Sequence, residues 1–139
     1  MLDRPEQAME IYKKINPIEH TKSKEGILKY KVEPYVIEAD IYSEGSIAGR
    51  GGWTWYTGAS SWLYETQIKY ILGIKIFHGK MKIKPCVPNN WSNFSVVFKW
   101  KNAVYNINYH QIGDYKIDSS DLNLNNNEIE LRSQGNYTS

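Results

Sequence analysis

Apolar residues fall at helical intervals in the first half of the chain and at alternate positions in much of the rest, and the texture changes at Gly73. In QAMEIYKKI, Ala8, Ile11, Tyr12 and Ile15 share one face, with Asp3 at an N-cap position and Pro5 in the first turn, so an amphipathic helix is predicted there. Asn16-Pro17 ends it, because a residue before proline is pushed out of the helical region, and IEHTKSKEG then reads as a solvated loop. A second helix is predicted from about Pro34 to Tyr42, with Val36, Ile37 and Ile41 as its packed stripe and Glu33 at its mouth, facing a cavity. WLYETQIKYILG, with Ile68, Ile71 and Leu72 at helical spacing, predicts a third helix that stops at Gly73.

Beyond Gly73 the predicted elements are strands. IKIF and KMKI flank His78-Gly79 as a hairpin, and PCVPNNWSN forms a proline-bounded turn. SVVFKW and AVYNINYH are separated by Lys101-Asn102, and Val96, Phe98 and Trp100 alternate with polar neighbours as in a sheet with one buried face. DYKID and EIEL are expected as edge strands, whereas LNLNNN and the SQGNYTS tail read as turns or frayed ends. Helices followed by strands indicate an α+β chain, or the junction of two domains.

Between these halves lies GRGGWTWYTGASS, residues 49–61, which concentrates glycine, flat aromatic surface and hydroxyls. Gly49, Gly51 and Gly52 permit positive φ or close approach of the backbone to a ligand, and Trp53, Trp55 and Tyr56 offer faces on which sugars stack. The same turn is the N-terminus of the predicted third helix, where unpaired amides and the positive end of the helix dipole suit a phosphate or carboxylate near Thr57. The local pattern fits equally a Ser60 or Ser61 cap with tryptophans in the core.

Composition adds limits. Hydrophobic residues make up 41% and aromatics 14%, with five Trp and eleven Tyr, too rich in apolar surface for a disordered segment. A net charge of +2 from 17 basic and 15 acidic residues, spread along the chain, gives no footprint for nucleic acid. No segment is long and apolar enough for a membrane span or a secretion signal, and the lone Cys86 suits a reducing compartment, so a cytoplasmic location is expected. No metal site is expected: His20 lacks a second ligand at metal spacing and reads as a surface or capping residue. Glu38 and Asp40, two residues apart, do not share a helix face and so do not form an acid/base pair on the predicted helix.

In order along the chain, RPEQAMEIYKKINPIEHT, YKVEPYVIEADIYS, GRGGWTWYTGASSWLYETQIKYILGIK and MKIKPCVPNNWSNFSVVFKW resemble the C-terminal portion of glycoside hydrolase family 94, the inverting phosphorylases of β-glucosides, over about residues 3 to 110. The GRGGWTWYTG form looks closest to the β-1,2-glucan branch. The resemblance implies that residues 1–73 are the last helices of an (α/α)6 catalytic barrel and that residues 74–139 form a small antiparallel β-rich domain. It also implies a reaction in which an aspartic acid protonates the leaving oxygen while inorganic phosphate, a co-substrate rather than a cofactor, attacks the anomeric carbon from the opposite face. Phosphate replaces the activated water of an inverting hydrolase, so no carboxylate base is needed.

Carried over position by position, Thr57 and Gly58 of WYTG would contact phosphate and Glu33 and Tyr35 of VEPYV would line the sugar site, where Arg50, Trp53 and Trp55 of the glycine-rich stretch are also expected to bind substrate. The family's catalytic aspartate lies upstream of these motifs and matches neither Asp3 nor Asp40, so the chain alone is expected to be inactive. A phosphate-contacting histidine of many members is matched here by Ile47. The expected reading is thus a C-terminal piece of a β-glucan phosphorylase, acting with the missing N-terminal part or self-associating. The alternative is a non-catalytic carbohydrate-binding module.

Overall fold

The computed structural model of the chain describes residues 4–33, 36–55, 57–110 and 128–138. These form two compact units, Glu6–Thr66 and a second made of the chain from Gln67 onward together with the residues up to Pro5.

The first unit opens with helix α1, Pro5–Ile15, as its spacing predicts, but none of its residues is buried and Ile11 and Ile15 stay exposed. The segment predicted as a solvated loop instead contains two short helices, α2 (Pro17–His20) and α3 (Lys24–Tyr30). Their polar residues are caps. Asn16 accepts from the Ile18 amide at 3.1 Å with Pro17 in the first position, and Ser23 accepts from Gly26 at 3.0 Å. Lys31, at φ 54°, closes α3 by donating its amide to Ile27.

The predicted helix from Pro34 to Tyr42 is not formed over its described part: residues 36–44 contain no helix, and Pro34 and Tyr35 lie outside the described residues. The amides of Ala39 and Tyr42 reach across to the carbonyls of Trp53 (2.7 Å) and Arg50 (3.0 Å), while Gly49 and Gly52 donate back to Tyr42 and Asp40. Ile41 bridges Gly51 in antiparallel sense. Residues 39–42 and 49–53 are therefore the arms of an irregular hairpin whose tip is a 3₁₀ turn at Gly45–Ile47. Val36 and Glu38 are buried on the alternate spacing of extended chain, not on a helical stripe. The core of this unit is small: Tyr30, Val32 and Val36, with Ile41 packed against them.

Helix α4 runs from Thr57 to Thr66 and passes into a π-helical turn, Gln67–Ile71. The helix is the one predicted, and Ser60 and Ser61 lie within it rather than at its cap. Gly73 ends it at φ 72°, with no space for a side chain because a Cβ would overlap the Lys84 carbonyl.

The second unit is built of two three-stranded sheets, β1-β2-β5 and β3-β4-β6. Strands β1 (Ile74–Phe77) and β2 (Lys80–Ile83) pair through the predicted His78-Gly79 turn, whose two residues both have positive φ, as a type I′ turn requires. Strand β5 (Glu128–Glu130) adds to β2, as expected of EIEL. Strands β3 (Asn93–Trp100) and β4 (Asn102–His110) form the longest ladder, with Val96 opposite Ile107 and Phe98 opposite Tyr105. The tail predicted to fray is strand β6 (Gln134–Thr138), parallel to β4, so this sheet is mixed rather than antiparallel. The Arg132 amide, donating to the Tyr105 hydroxyl at 2.7 Å, guides the chain into that edge. DYKID and LNLNNN lie outside the described residues.

Ile74, Met81, Ile83, Ala103, Tyr105, Ile107, Tyr109 and Ile129 form a shared core, against which Ile68 and Leu72 also pack. The chain is thus α+β in class. Among the described residues no helix is long and apolar enough to cross a membrane.

Candidate functional site

The predicted site residues all belong to the first unit, and the hairpin decides how they meet. Its second arm carries Arg50, Gly51, Gly52 and Trp53, and the chain then runs through Trp55 to the start of α4 at Thr57. Gly49 uses its freedom directly, at φ 85°. Gly51 and Gly52 have ordinary φ but no room: a Cβ at Gly51 would overlap Val32, and one at Gly52 would overlap the Asp40 carboxylate. Gly51 also donates to the Tyr30 carbonyl at 2.9 Å, which seats the arm on the small core.

Trp53 and Trp55 are 71% and 66% exposed, so of the two readings left open by the local pattern the core role is excluded. Both are held. The Trp53 amide donates to Oδ1 of Asp40 at 3.1 Å, and the Trp55 indole Nε1 donates to Oε1 of Glu33 at 3.4 Å. Trp55 sits at φ 63°, in the left-handed region that a bulky residue seldom adopts. Two residues assigned to the sugar site, Glu33 and Trp55, are therefore in contact although 22 positions apart.

Arg50 is exposed, its carbonyl engaged by the Tyr42 amide. Thr57 is the first residue of α4, and Gly58 follows it, exposed and with open space where a side chain would stand. Ile47 lies at the hairpin tip, 44% exposed. Tyr35 lies outside the described residues. No group of His, Cys, Asp and Glu able to hold a metal occurs among the described residues.

Beneath the hairpin lies a group that periodicity did not reveal. Glu38 is 6% exposed, and its Oε2 has no hydrogen-bond partner among the described residues; the wholly buried Tyr30 hydroxyl has none either. Burial lifts the Glu38 carboxyl above its ordinary value of 4.5, and the Asp40 charge adds to this while the backbone amide and His20 oppose it. The His20 ring stacks on Tyr30 at 4.7 Å, and its Nε2 donates to the Lys14 carbonyl at 2.7 Å, near the end of α1. That is the capping role expected of His20. The signal for Glu38 was the alternation Val36, Glu38, visible only once the segment is read as extended.

Comparison with known proteins gives this geometry a context. The model of the glycosyl hydrolase 94 superfamily catalytic domain matches residues 1–73. Cyclic beta-(1,2)-glucan synthase NdvB of Rhizobium meliloti (strain 1021) is 37% identical over 133 residues, 96% of this chain and 5% of that protein. N,N'-diacetylchitobiose phosphorylase of Vibrio furnissii is 32% identical over 108 residues, 76% of the chain and 13% of the phosphorylase. Solabiose phosphorylase of Paenibacillus borealis is 25% identical over 109 residues, 73% of the chain and again 13% of the relative. The chain therefore spans only a small part of each relative's length. Since the catalytic-domain match takes in the hairpin, the paired tryptophans and the start of α4, and the first relative matches through both units, the chain belongs to the glycosyl hydrolase 94 superfamily.

Proposed function

We propose that this chain supplies part of the sugar- and phosphate-binding surface of an inverting β-glucoside phosphorylase, with a β-glucan as the preferred substrate class. The observation that carries the reading is the loop from Trp53 to Gly58: two tryptophans held by hydrogen bonds yet largely exposed, leading directly into an open helix start. Exposed indoles forgo the gain that burial would bring, and a sugar ring is a natural cover for a flat face with a polar edge. The first amides of a helix have no intrahelical partner and favour an anion, so Thr57 and Gly58 would contact phosphate while Glu33, Arg50 and the tryptophans, with Tyr35, face the glycoside.

In this reading residues 1–73 end an (α/α)6 barrel, residues 74–139 are an accessory β-rich domain, and the proton donor comes from outside this sequence. The carboxylates near the loop are otherwise engaged: Glu33 with an indole, Asp40 with an amide, and Glu38 buried. The names of the relatives support the reaction class, since two are phosphorylases and one a β-1,2-glucan synthase.

Titration with phosphate, followed by tryptophan fluorescence, tests the reading. A saturable change that Thr57→Val weakens is expected, together with no release of glucose 1-phosphate from sophorose or cellobiose by the chain alone. Absence of any saturable phosphate response refutes the anion site. Phosphorolysis by the chain alone refutes an external proton donor.

A further inference from the structure

Asp40 does more in the hairpin than its place in the ladder requires. Its carbonyl accepts from the Gly52 amide at 2.8 Å, and its carboxylate Oδ1 accepts from the next amide, Trp53, at 3.1 Å. The Trp53 carbonyl is taken by Ala39 at 2.7 Å, so residues 39 and 40 hold both backbone polar groups of Trp53. Two residues later Trp55 adopts its left-handed φ of 63°, and two further on α4 begins. The carboxylate thus fixes the point and direction in which the chain leaves the hairpin for the aromatic loop. Position 52 shows how close the fit is, because a Cβ there would overlap Oδ1 although Gly52 has no unusual φ. Glycine at 52 leaves room for the aspartate, which a side chain there would displace, rather than supplying backbone freedom.

We propose that Asp40 is a positioning residue: acting through the Trp53 amide, in the space left by Gly52, it sets the angle at which Trp53 and Trp55 are presented to a sugar ring. The proposal rests on the reading of this loop as a sugar-binding segment. An ionised acceptor makes the shorter and stronger kind of hydrogen bond, but the role needs only an acceptor at that point, not a charge facing the ligand. Asparagine keeps the acceptor, whereas alanine removes it.

The test uses the full chain labelled with 5-fluorotryptophan, as wild type, Asp40→Asn, Asp40→Ala and Gly52→Ala, with resonances assigned by single Trp→Phe replacements and sophorose as the probe. Asp40→Asn should leave the Trp53 and Trp55 resonances and the sophorose affinity unchanged. Asp40→Ala and Gly52→Ala should shift both resonances, leave Trp91 and Trp100 in place, and weaken sophorose about tenfold, the scale of one lost hydrogen bond. Wild-type positions for Trp53 and Trp55 in Asp40→Ala overturn the proposal. Equal damage from Asn and Ala does so too, since it assigns the effect to charge. If Asp40→Ala unfolds the unit, seen as movement of Trp62 as well, Gly52→Ala decides the matter, because it crowds the carboxylate without deleting it. A wild type that ignores sophorose refutes the sugar-binding reading alone, as the resonances report on Asp40 without ligand.

Discussion

Replacing Glu38 by glutamine should stabilise the first unit at neutral pH and not at acid pH. The carboxyl is 6% exposed with an unpartnered oxygen, and burial raises its proton affinity in the folded chain. Above the unfolded value near 4.5, the unfolded chain releases this proton while the folded chain retains it. The folded state then binds more protons, so stability falls as pH rises, by at most about 1.4 kcal/mol per pH unit for a single group. The contribution is complete below about pH 4.5 and is lost as pH climbs through the raised folded value. A buried polar group without a partner costs about 1–3 kcal/mol, more when charged, which sets the scale of the loss. In a unit of this size each kcal/mol corresponds to about 4–8 °C in Tm. Thermal unfolding from pH 4 to 8, read through Trp53, Trp55 and Trp62, gives Tm of Glu38→Gln minus that of wild type. This difference should rise by several degrees from pH 4 to pH 8. Subtraction cancels titrations common to both proteins. A flat difference over the whole range would refute the account of Glu38 as a buried carboxyl with an unpartnered oxygen.

Tyr30→Phe removes a buried hydroxyl that has no partner among the described residues, so unfolding should show no loss of stability, whereas Tyr30→Ala should cost about 3–5 kcal/mol for the lost ring. Gly73→Ala combines a positive φ with overlap on the Lys84 carbonyl and should lower the melting temperature of the sheet unit, through a cost of about 1–2 kcal/mol for the conformation plus the clash. Amide exchange read by mass spectrometry should be faster in α1 than in β3 and β4, because α1 has no buried residue while β4 supplies four of the eight residues of the second core. Equal protection in α1 and β4 would contradict that ordering.

The strands were legible because their signals are local. His78-Gly79 between two alternating runs specifies a two-residue turn, and β4 buries Ala103, Tyr105, Ile107 and Tyr109 on one face as the period of two demands. The elements that were misread depend on partners far along the chain. Strand β6 exists because Gln134–Thr138 finds a free edge on β4, a pairing that no window around residue 134 contains. Residues 36–42 place Val36, Ile37 and Ile41 at spacings compatible with a helix, and what decides for extended chain is a second arm ten residues away with carbonyls in register. The short helices α2 and α3 were lost for a different reason: Asn16 and Ser23 look like loop residues until their side chains are seen to satisfy amides of a helix start. With the hairpin unseen, neither the contact of Glu33 with Trp55 nor that of Asp40 with Trp53 could be read.

The glycines of GRGG change meaning in consequence. A run of glycine beside tryptophan suggests a loose loop that wraps its ligand, and such a loop would lose conformational entropy on binding. Only Gly49 has the backbone angle that such freedom implies. Gly51 and Gly52 are small so that Val32 and Asp40 can come close, and the arm is then held by the Tyr30 carbonyl and by Oδ1 of Asp40. The aromatic loop is therefore tied before any ligand arrives, on its own chain and at the edge of a core of only a few residues. Alanine at 51 or 52 should act like a loosened anchor rather than a blocked pocket, weakening the presentation of both indoles while leaving their faces open. The ordering cost of the loop is met at folding instead of at binding, which lets a small, weakly packed unit present a defined surface.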